Sequence, residues 1–349
     1  MDTKSKTDKK RNTAIDLLKL FAIFLVLWGH CVQQFLSTPA IGNVIYLAIY
    51  SLHMPLFMML AGYFSHSSLQ LPFQKFILKK SKQLLLPIIA WSTVILFLYT
   101  LGGQRIFPDS SNSFTGNIVA AFGNFWFLKS LFVCYLLAYC GKKTKLHPTV
   151  WITATILVSQ LISAYNVKGM FPCFLTGMLL SAHKSNIKRN GTIILCFSLP
   201  LYAIMMFFWD SRFLEPANLI GAIYNRDTAA LCEMLFIRFY RITIGIAGAV
   251  SLYVIFEKLS TLWQNYNIAQ TLAKWGTYTL EIYILQVIIL EIFLGAVVCC
   301  DSLDVTLFNY VVSPAVSTLV LLVSLLLAKT IHRNKWLSFV LFAKKGRAQ

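Results

Sequence analysis

About ten runs in this chain are long and apolar enough to cross a bilayer, and nothing constrains its fold more. A membrane-crossing helix needs roughly 20 mostly apolar residues. Such runs cover 14–36, 43–64, 84–102, 118–140, 148–165, 169–183, 191–209, 232–256, 276–299 and 309–331. Hydrocarbon offers the backbone no hydrogen-bond partners, so spanning segments of this length must be helical. Only 13% of the residues are charged, about half the fraction of a soluble domain, which excludes a soluble globular class. The sequence therefore predicts an all-α, polytopic membrane protein of about ten transmembrane helices. The sixth run is short and is expected to be tilted, broken or partly buried.

The charge that remains is lopsided, with 31 Lys+Arg against 13 Asp+Glu and a net of +18. Such an excess raises the question of nucleic acid, but it lies in short loops between apolar runs, where it reports membrane topology instead. Lys4, Lys6, Lys9, Lys10, Arg11, Lys75, Lys79, Lys80, Lys82, Lys142, Lys143, Lys145, Lys184, Lys188 and Arg189 fall on one side, joined by Lys258, Lys274, Arg333, Lys335, Lys344, Lys345 and Arg347. Asp109, Asp210, Glu215, Asp227, Asp301 and Asp304 fall on the other, with few basic residues. The positive-inside rule then places both termini in the cytoplasm, for a multi-pass protein of the plasma (inner) membrane. The expected organisation is a basic N-terminus (1–13), one membrane domain (14–331) and a basic tail (332–349). No small-residue cleavage site follows the first run, so that run is expected to stay in the membrane. The eight cysteines lack metal-ligand spacing, and no metal is expected.

In such a chain the informative residues are the costly ones, because an ionisable group in hydrocarbon needs a cavity or a partner. Of six histidines, only His30 and His53 lie well inside runs. Asp16 and Lys19 can pair at i,i+3. Lys19 and His30 are eleven residues apart, close to three helical turns, so they share a face about 16 Å apart along the axis. The first helix thus carries a polar seam from one membrane surface into the opposite half. An imidazole there suits a general base or acyl relay. In the second run, Pro55 removes a backbone hydrogen bond beside His53 and is expected to kink the helix and open a local cavity. Lys129 follows Trp126 in the fourth run and is expected to face a cavity. Glu281, Gln286 and Glu291 punctuate the ninth, with Glu281 expected to be solvated near the surface.

These segments resemble the integral-membrane acyltransferase family 3, which O-acetylates cell-envelope polysaccharides and related acceptors. The resemblance rests on Asp16-Leu-Leu-Lys19 through Gly29-His30, then Ser51-Leu-His53-Met-Pro55-Leu-Phe57 with Ala61-Gly62-Tyr63. Lys79-Lys80-Ser-Lys82-Gln83 through Pro87, Phe125-Trp126-Phe127-Leu128, Phe171-Pro172 with Gly177, and Gly276-Thr-Tyr-Thr279 through Tyr283 follow in the family's order. It implies an acyltransferase without a fused extracytoplasmic domain, so that any second transfer step would need a separate protein. The implied donor is acetyl-CoA, used as a substrate with no permanently bound cofactor. The implied acceptor is a polysaccharide or lipid-linked sugar. By the same resemblance, His30, Asp16 and Lys19 are the catalytic candidates, His53, Trp126 and Lys129 line the acceptor site, and Lys79, Lys80 and Lys82 meet the donor's phosphates. Gln83 stands where many members have arginine, Ala61 where serine is common, and Gln286 where histidine is frequent, which speaks against catalysis at position 286. A transporter or flippase for an envelope glycan or small solute would also bury charges in many spans; the lack of a repeat and the clustering on one helix disfavour it. A sensor or assembly partner without chemistry is the third reading.

Overall fold

The computed structural model describes residues 12–36, 40–107, 111–214, 228–263 and 265–344. Lys4, Lys6, Lys9, Lys10, Arg11, Asp109, Glu215, Asp227, Lys345 and Arg347, whose side the charge pattern assigns, lie outside the described residues. Among the described residues every regular element is helical. In chain order the longer ones are α1 (Thr13–Phe35), α2 (Val44–Tyr63), α3 (Phe73–Gly103), α4 (Phe114–Gly123), α5 (Trp126–Lys143), α6 (Pro148–Leu161), α7 (Val167–Ala182), α8 (Lys184–Phe207), α9 (Thr228–Trp263), α10 (Asn267–Leu294), α11 (Val305–Arg333) and α12 (Lys335–Phe342).

Each of the ten apolar runs has a helix, but not each helix is long enough by itself to cross a bilayer. Seven of the described helices are long and apolar enough to cross a membrane, and α4 with α5, bent by 63° at their junction, would make an eighth. The runs expected at 148–165 and 169–183 form α6, of 14 residues, and α7, of 16. At 1.5 Å per residue these reach only about 21–24 Å, short of a hydrocarbon core of about 30 Å. The break between them is a turn in which Tyr165 and Asn166 take positive φ of 52° and 53°. Residues 335–342, in the expected tail, form α12, which packs on α3; there Trp91 Nε1 donates to the Leu341 carbonyl at 2.9 Å.

Local sequence explains where the central helices begin. The Asn12 side chain accepts from the amides of Ala14 and Ile15, and Asn43 does the same for Ile45 and Tyr46, satisfying donors that a helix start leaves open. α1 packs against α2, α9, α10 and α11. Two thirds (67%) of its apolar window is buried, against 11% for α8. The helix carrying the polar seam is therefore interior, while α8 presents Phe197, Ile204 and Phe207 outward, as a lipid-facing helix should.

A backbone-to-backbone crossing joins α2 to α7. A Cβ on Gly62 would lie 1.9 Å from the Phe174 carbonyl oxygen, and one on Gly177 1.8 Å from that of Met59. Small residues let membrane helices touch backbone to backbone, and here they pin the last turns of α2 to the middle of α7. The first half of α2 and the start of α7 instead border a cavity. Gly177→Ala is expected to force this crossing apart, at a cost on the order of 1–3 kcal/mol. A lower unfolding temperature of the purified protein in detergent would register it, and an unchanged one would contradict the crossing.

Candidate active site

The basic-loop end of the bundle holds the first polar group. Lys19 Nζ pairs with Asp16 Oδ1 at 3.2 Å, as the i,i+3 spacing predicts, and sits 4.4 Å from the centre of the Phe64 ring. Lys19 lines a cavity of about 320 Å3 together with Lys80, Gln83, Tyr135, Tyr283 and Lys344. Lys80 is only 6% exposed, and its ammonium lies 3.5 Å over the Tyr135 ring. Lys79 and Lys82 are exposed and line neither of the two cavities described here. Of the three basic residues singled out for the donor, the structure brings Lys80 into the cavity wall, and it adds Lys344 from beyond α12.

The second polar group lies deeper. His30 Nδ1 stands 3.6 Å from Glu291 Oε1, with each side chain about one-fifth exposed. That is ion-pair distance, and His30 Nδ1 has no hydrogen-bond partner among the described residues. Gln286 Nε2 donates to the same Glu291 oxygen at 2.9 Å. Residues five apart on a regular α-helix point about 140° away from each other, so this pairing has a specific cause. Val287–Leu294 is wound as a π-helix, which brings i and i+5 onto one face. Gln286 thus braces the carboxylate that faces His30. Tyr50 and Tyr283 are both close enough to Glu291 to feel its charge.

His53 occupies the next turn of space. Its Nδ1 lies 2.7 Å from the Ile49 carbonyl oxygen. A carbonyl only accepts, so Nδ1 carries the proton and Nε2 is left as the acceptor. The bonded carbonyl is that of Ile49 and not that of Ser51, whose helical partner Pro55 removes. His53 lines a second cavity, of about 470 Å3, with Tyr46, Tyr50, Trp126, Lys168, Arg238 and Arg241. These residues lie near the ends of their helices remote from the basic loops, so the two cavities approach from opposite ends. Met54 is in the wall of both. His30 is within electrostatic reach of His53.

Two expectations are corrected. Glu281 is not solvated. It is 0% exposed, accepts from Lys344 Nζ at 2.5 Å and lies 2.8 Å from His332 Nε2. The cause lies on either side of α12: His332 at the end of α11 and Lys344 just after α12 both meet Glu281, partners that the local sequence does not show. Lys129 does not enter the wall of either cavity. Its ammonium bonds the Phe122 carbonyl and lies 5.1 Å from the Tyr165 ring. The α4–α5 bend leaves the last carbonyls of α4 without helical partners, and Lys129 takes one of them. Arg238 and Arg241 carried a signal in the sequence that went unread, since two arginines inside an apolar run are costly wherever they point. Glu291 was visible as a costly residue, but nothing local ties it to His30.

Comparison with known proteins gives a family match over most of the chain. An acyltransferase-domain family matches residues 12–333. The nodulation protein NolL of Mesorhizobium japonicum is 33% identical over 133 residues, 36% of this chain and 35% of that protein. The NolL protein of Sinorhizobium fredii is 23% identical over 244 residues, 65% of each. The chain thus spans about a third of the length of the first relative and just under two thirds of the second. No solved structure matches.

The Glu281 cluster straddles the edge of the matched region, since Lys344 lies beyond it. Glu281→Ala removes an acceptor shared by two buried or half-buried donors, at an expected cost on the order of 1–3 kcal/mol. Limited proteolysis should then cut within α12 faster than in the unaltered protein. Equal cutting rates would show that Glu281 does not hold that helix.

Proposed function

The chain belongs to the acyltransferase-domain family that spans its residues 12–333, and we propose that it is a membrane-bound O-acyltransferase. The donor in this reading is acetyl-CoA, or a slightly longer acyl-CoA, and the acceptor is a hydroxyl of a cell-envelope polysaccharide or lipid-linked sugar. The observation that carries the proposal is the pair of cavities from opposite ends of the bundle that share Met54, with a histidine facing a carboxylate one helical turn beyond Val26 of the basic-end wall. A donor and an acceptor held on different sides of a bilayer can meet only at such a point.

The basic-end cavity suits a polyanionic thioester. Lys19, Lys80 and Lys344 on its wall would meet phosphates as point charges. The exposed Lys79 and Lys82 would raise the local donor concentration by longer-range attraction. Asp16 holds Lys19 in place. The acyl end of the donor would then extend toward Tyr283 and His30. On the far side, Nε2 of His53 would accept from a neighbouring hydroxyl of the acceptor sugar and so orient it, leaving the reacting hydroxyl free for the base, with Trp126 offering a ring face to the sugar.

For the transfer itself, His30 would take the hydroxyl proton as oxygen attacks the thioester carbon. The C–O bond forms, the C–S bond breaks, and the proton passes from the imidazolium to the departing thiolate of CoA. Glu291 would stabilise the imidazolium formed on the way, much as an acid orients the histidine of a hydrolytic triad, and Gln286 would keep that carboxylate aimed.

The test uses purified protein, labelled acetyl-CoA and envelope glycan. His30→Ala is expected to lower kcat/KM at least about 100-fold, the lower end of general-base contributions. Glu291→Gln should lower kcat by about tenfold. Lys19→Ala and Lys80→Ala should raise KM for acetyl-CoA with kcat nearly unchanged, as loss of uniform binding requires. Full turnover in His30→Ala would sink its assigned role, and glycan movement across vesicles without acylation would favour the transporter.

A further inference from the structure

The far-side cavity is cationic, which a neutral sugar alone does not require. Arg238, Arg241 and Lys168 are all on its wall, and no Asp or Glu is among its described lining residues. Arg238 is only 9% exposed, yet its Nε and Nη1 are buried without a hydrogen-bond partner among the described residues. No described carboxylate pairs with Arg241 either. Asp210 in the neighbouring loop is taken, because the guanidinium of Arg212 bonds it at 2.8–3.1 Å and holds its carboxyl below the usual range. Guanidinium groups withdrawn from water and left unpaired are costly, so the arrangement is stable in function only when something anionic completes it.

The fold aims these cations into the cavity and away from lipid. Arg238, Arg241 and Gly245 recur on one face of α9 at i, i+3 and i+7, and that face meets α2, where a Cβ on Gly245 would lie 2.6 Å from Pro55 Cγ. Lys168 reaches the same space from the start of α7, close enough to repel both arginines. Its backbone is tied by Gln160, which donates to the Lys168 carbonyl at 2.9 Å. Trp126, Tyr165 and the stacked pair Tyr46 and Tyr50 supply ring faces on the same wall. A cavity of about 470 Å3 falls within the usual range for small-ligand sites, about 300–1,000 Å3.

From this wall we infer that the acceptor is anionic: an oxyanion on the sugar or on its carrier is gripped by Arg238 and Arg241, with Lys168 beside them, while a hydroxyl next to the one to be acylated meets His53 and the reacting hydroxyl points toward His30. The inference rests on the acyltransferase reading of this cavity. Two sources offer the same chemistry, the carboxylate of an acidic sugar and the phosphate of a lipid carrier. Arginine's planar fork matches both.

The experiment measures equilibrium binding to the full-length chain in phosphatidylcholine nanodiscs, with no transfer step. The probes are a glucuronic-acid disaccharide and its neutral methyl ester, and a polyprenyl-phosphate glucose and its phosphate-free glucoside. At least one anionic probe is expected to bind about tenfold or more tightly than its neutral counterpart, and high salt should erode that preference. Which pair shows it identifies the source. The Arg238→Gln/Arg241→Gln double variant should lose the preference while still binding acetyl-CoA at the other end. Should that variant fail to fold, Arg238→Lys/Arg241→Lys takes its place and should weaken the preference without abolishing it. Binding of each neutral counterpart as tight as that of its anionic probe, or a preference left undiminished by these substitutions, overturns the inference. Failure of the acyltransferase reading would show separately, as full turnover in His30→Ala or as no acetyl-CoA binding.

Discussion

A charged or hydrogen-bonding group inside a bilayer is tolerable only where the protein itself supplies a partner or a wetted cavity. The architecture follows from that demand. α1 carries Asp16, Lys19 and His30 and is enclosed by α2, α9, α10 and α11, because a helix with three ionisable groups on one face cannot stand in lipid. Lys19 is met by Asp16 from its own helix, His30 by Glu291 from α10, and Glu281 by Lys344 and His332 from the chain's last segments. α8, whose charges Lys184, Lys188 and Arg189 all sit in its first two turns, is left at the periphery with Phe197 and Phe207 facing out.

The same demand separates the site into two chambers. Backbone contact at Gly62 and Gly177 closes α2 against α7 at one level, and the turn at Tyr165 and Asn166 starts α7 away from α2 at the other. Cations gather in both chambers, Lys19, Lys80 and Lys344 in one and Lys168, Arg238 and Arg241 in the other. Met54 is on both walls and His53 on the second; His30 and Glu291 pair outside the described walls, one turn along α1 from Val26 of the first. Under the proposed function this is a division of labour: phosphate recognition at the basic end, acceptor recognition at the far end, and proton transfer where they meet.

Some of this was legible from residue spacing. The Asp16–Lys19 pair is a property of one helix, and its period of 3.6 is enough to foresee it. The placing of His53 in a cavity wall beside Pro55 was likewise a local argument, although the carbonyl it bonds is that of Ile49. Lys129 was readable as costly but not as the residue that occupies a carbonyl freed by a helix bend, because the bend itself is not written in hydropathy. Glu291 and Gln286 were readable as polar interruptions. Their joint action depends on π-helical winding, which places residues five apart on one face and which no apolar period announces. Glu281 was misread because its partners, His332 and Lys344, flank a tail helix that docks through Leu341 and Phe342 on Trp91, far away in the chain.

Hydropathy is a sum over neighbours in the chain, so the sequence by itself determined the solvent, the helical class and the short inventory of residues too costly to be there without reason. Electrostatic pairing and cavity formation are sums over neighbours in space. Only the tertiary structure could decide that Glu291 faces His30, that Lys80 lines a cavity while Lys79 and Lys82 do not, and that two arginines of α9 turn toward α2. Ten apolar runs can be packed in many orders, and each order assigns different partners to the same costly groups.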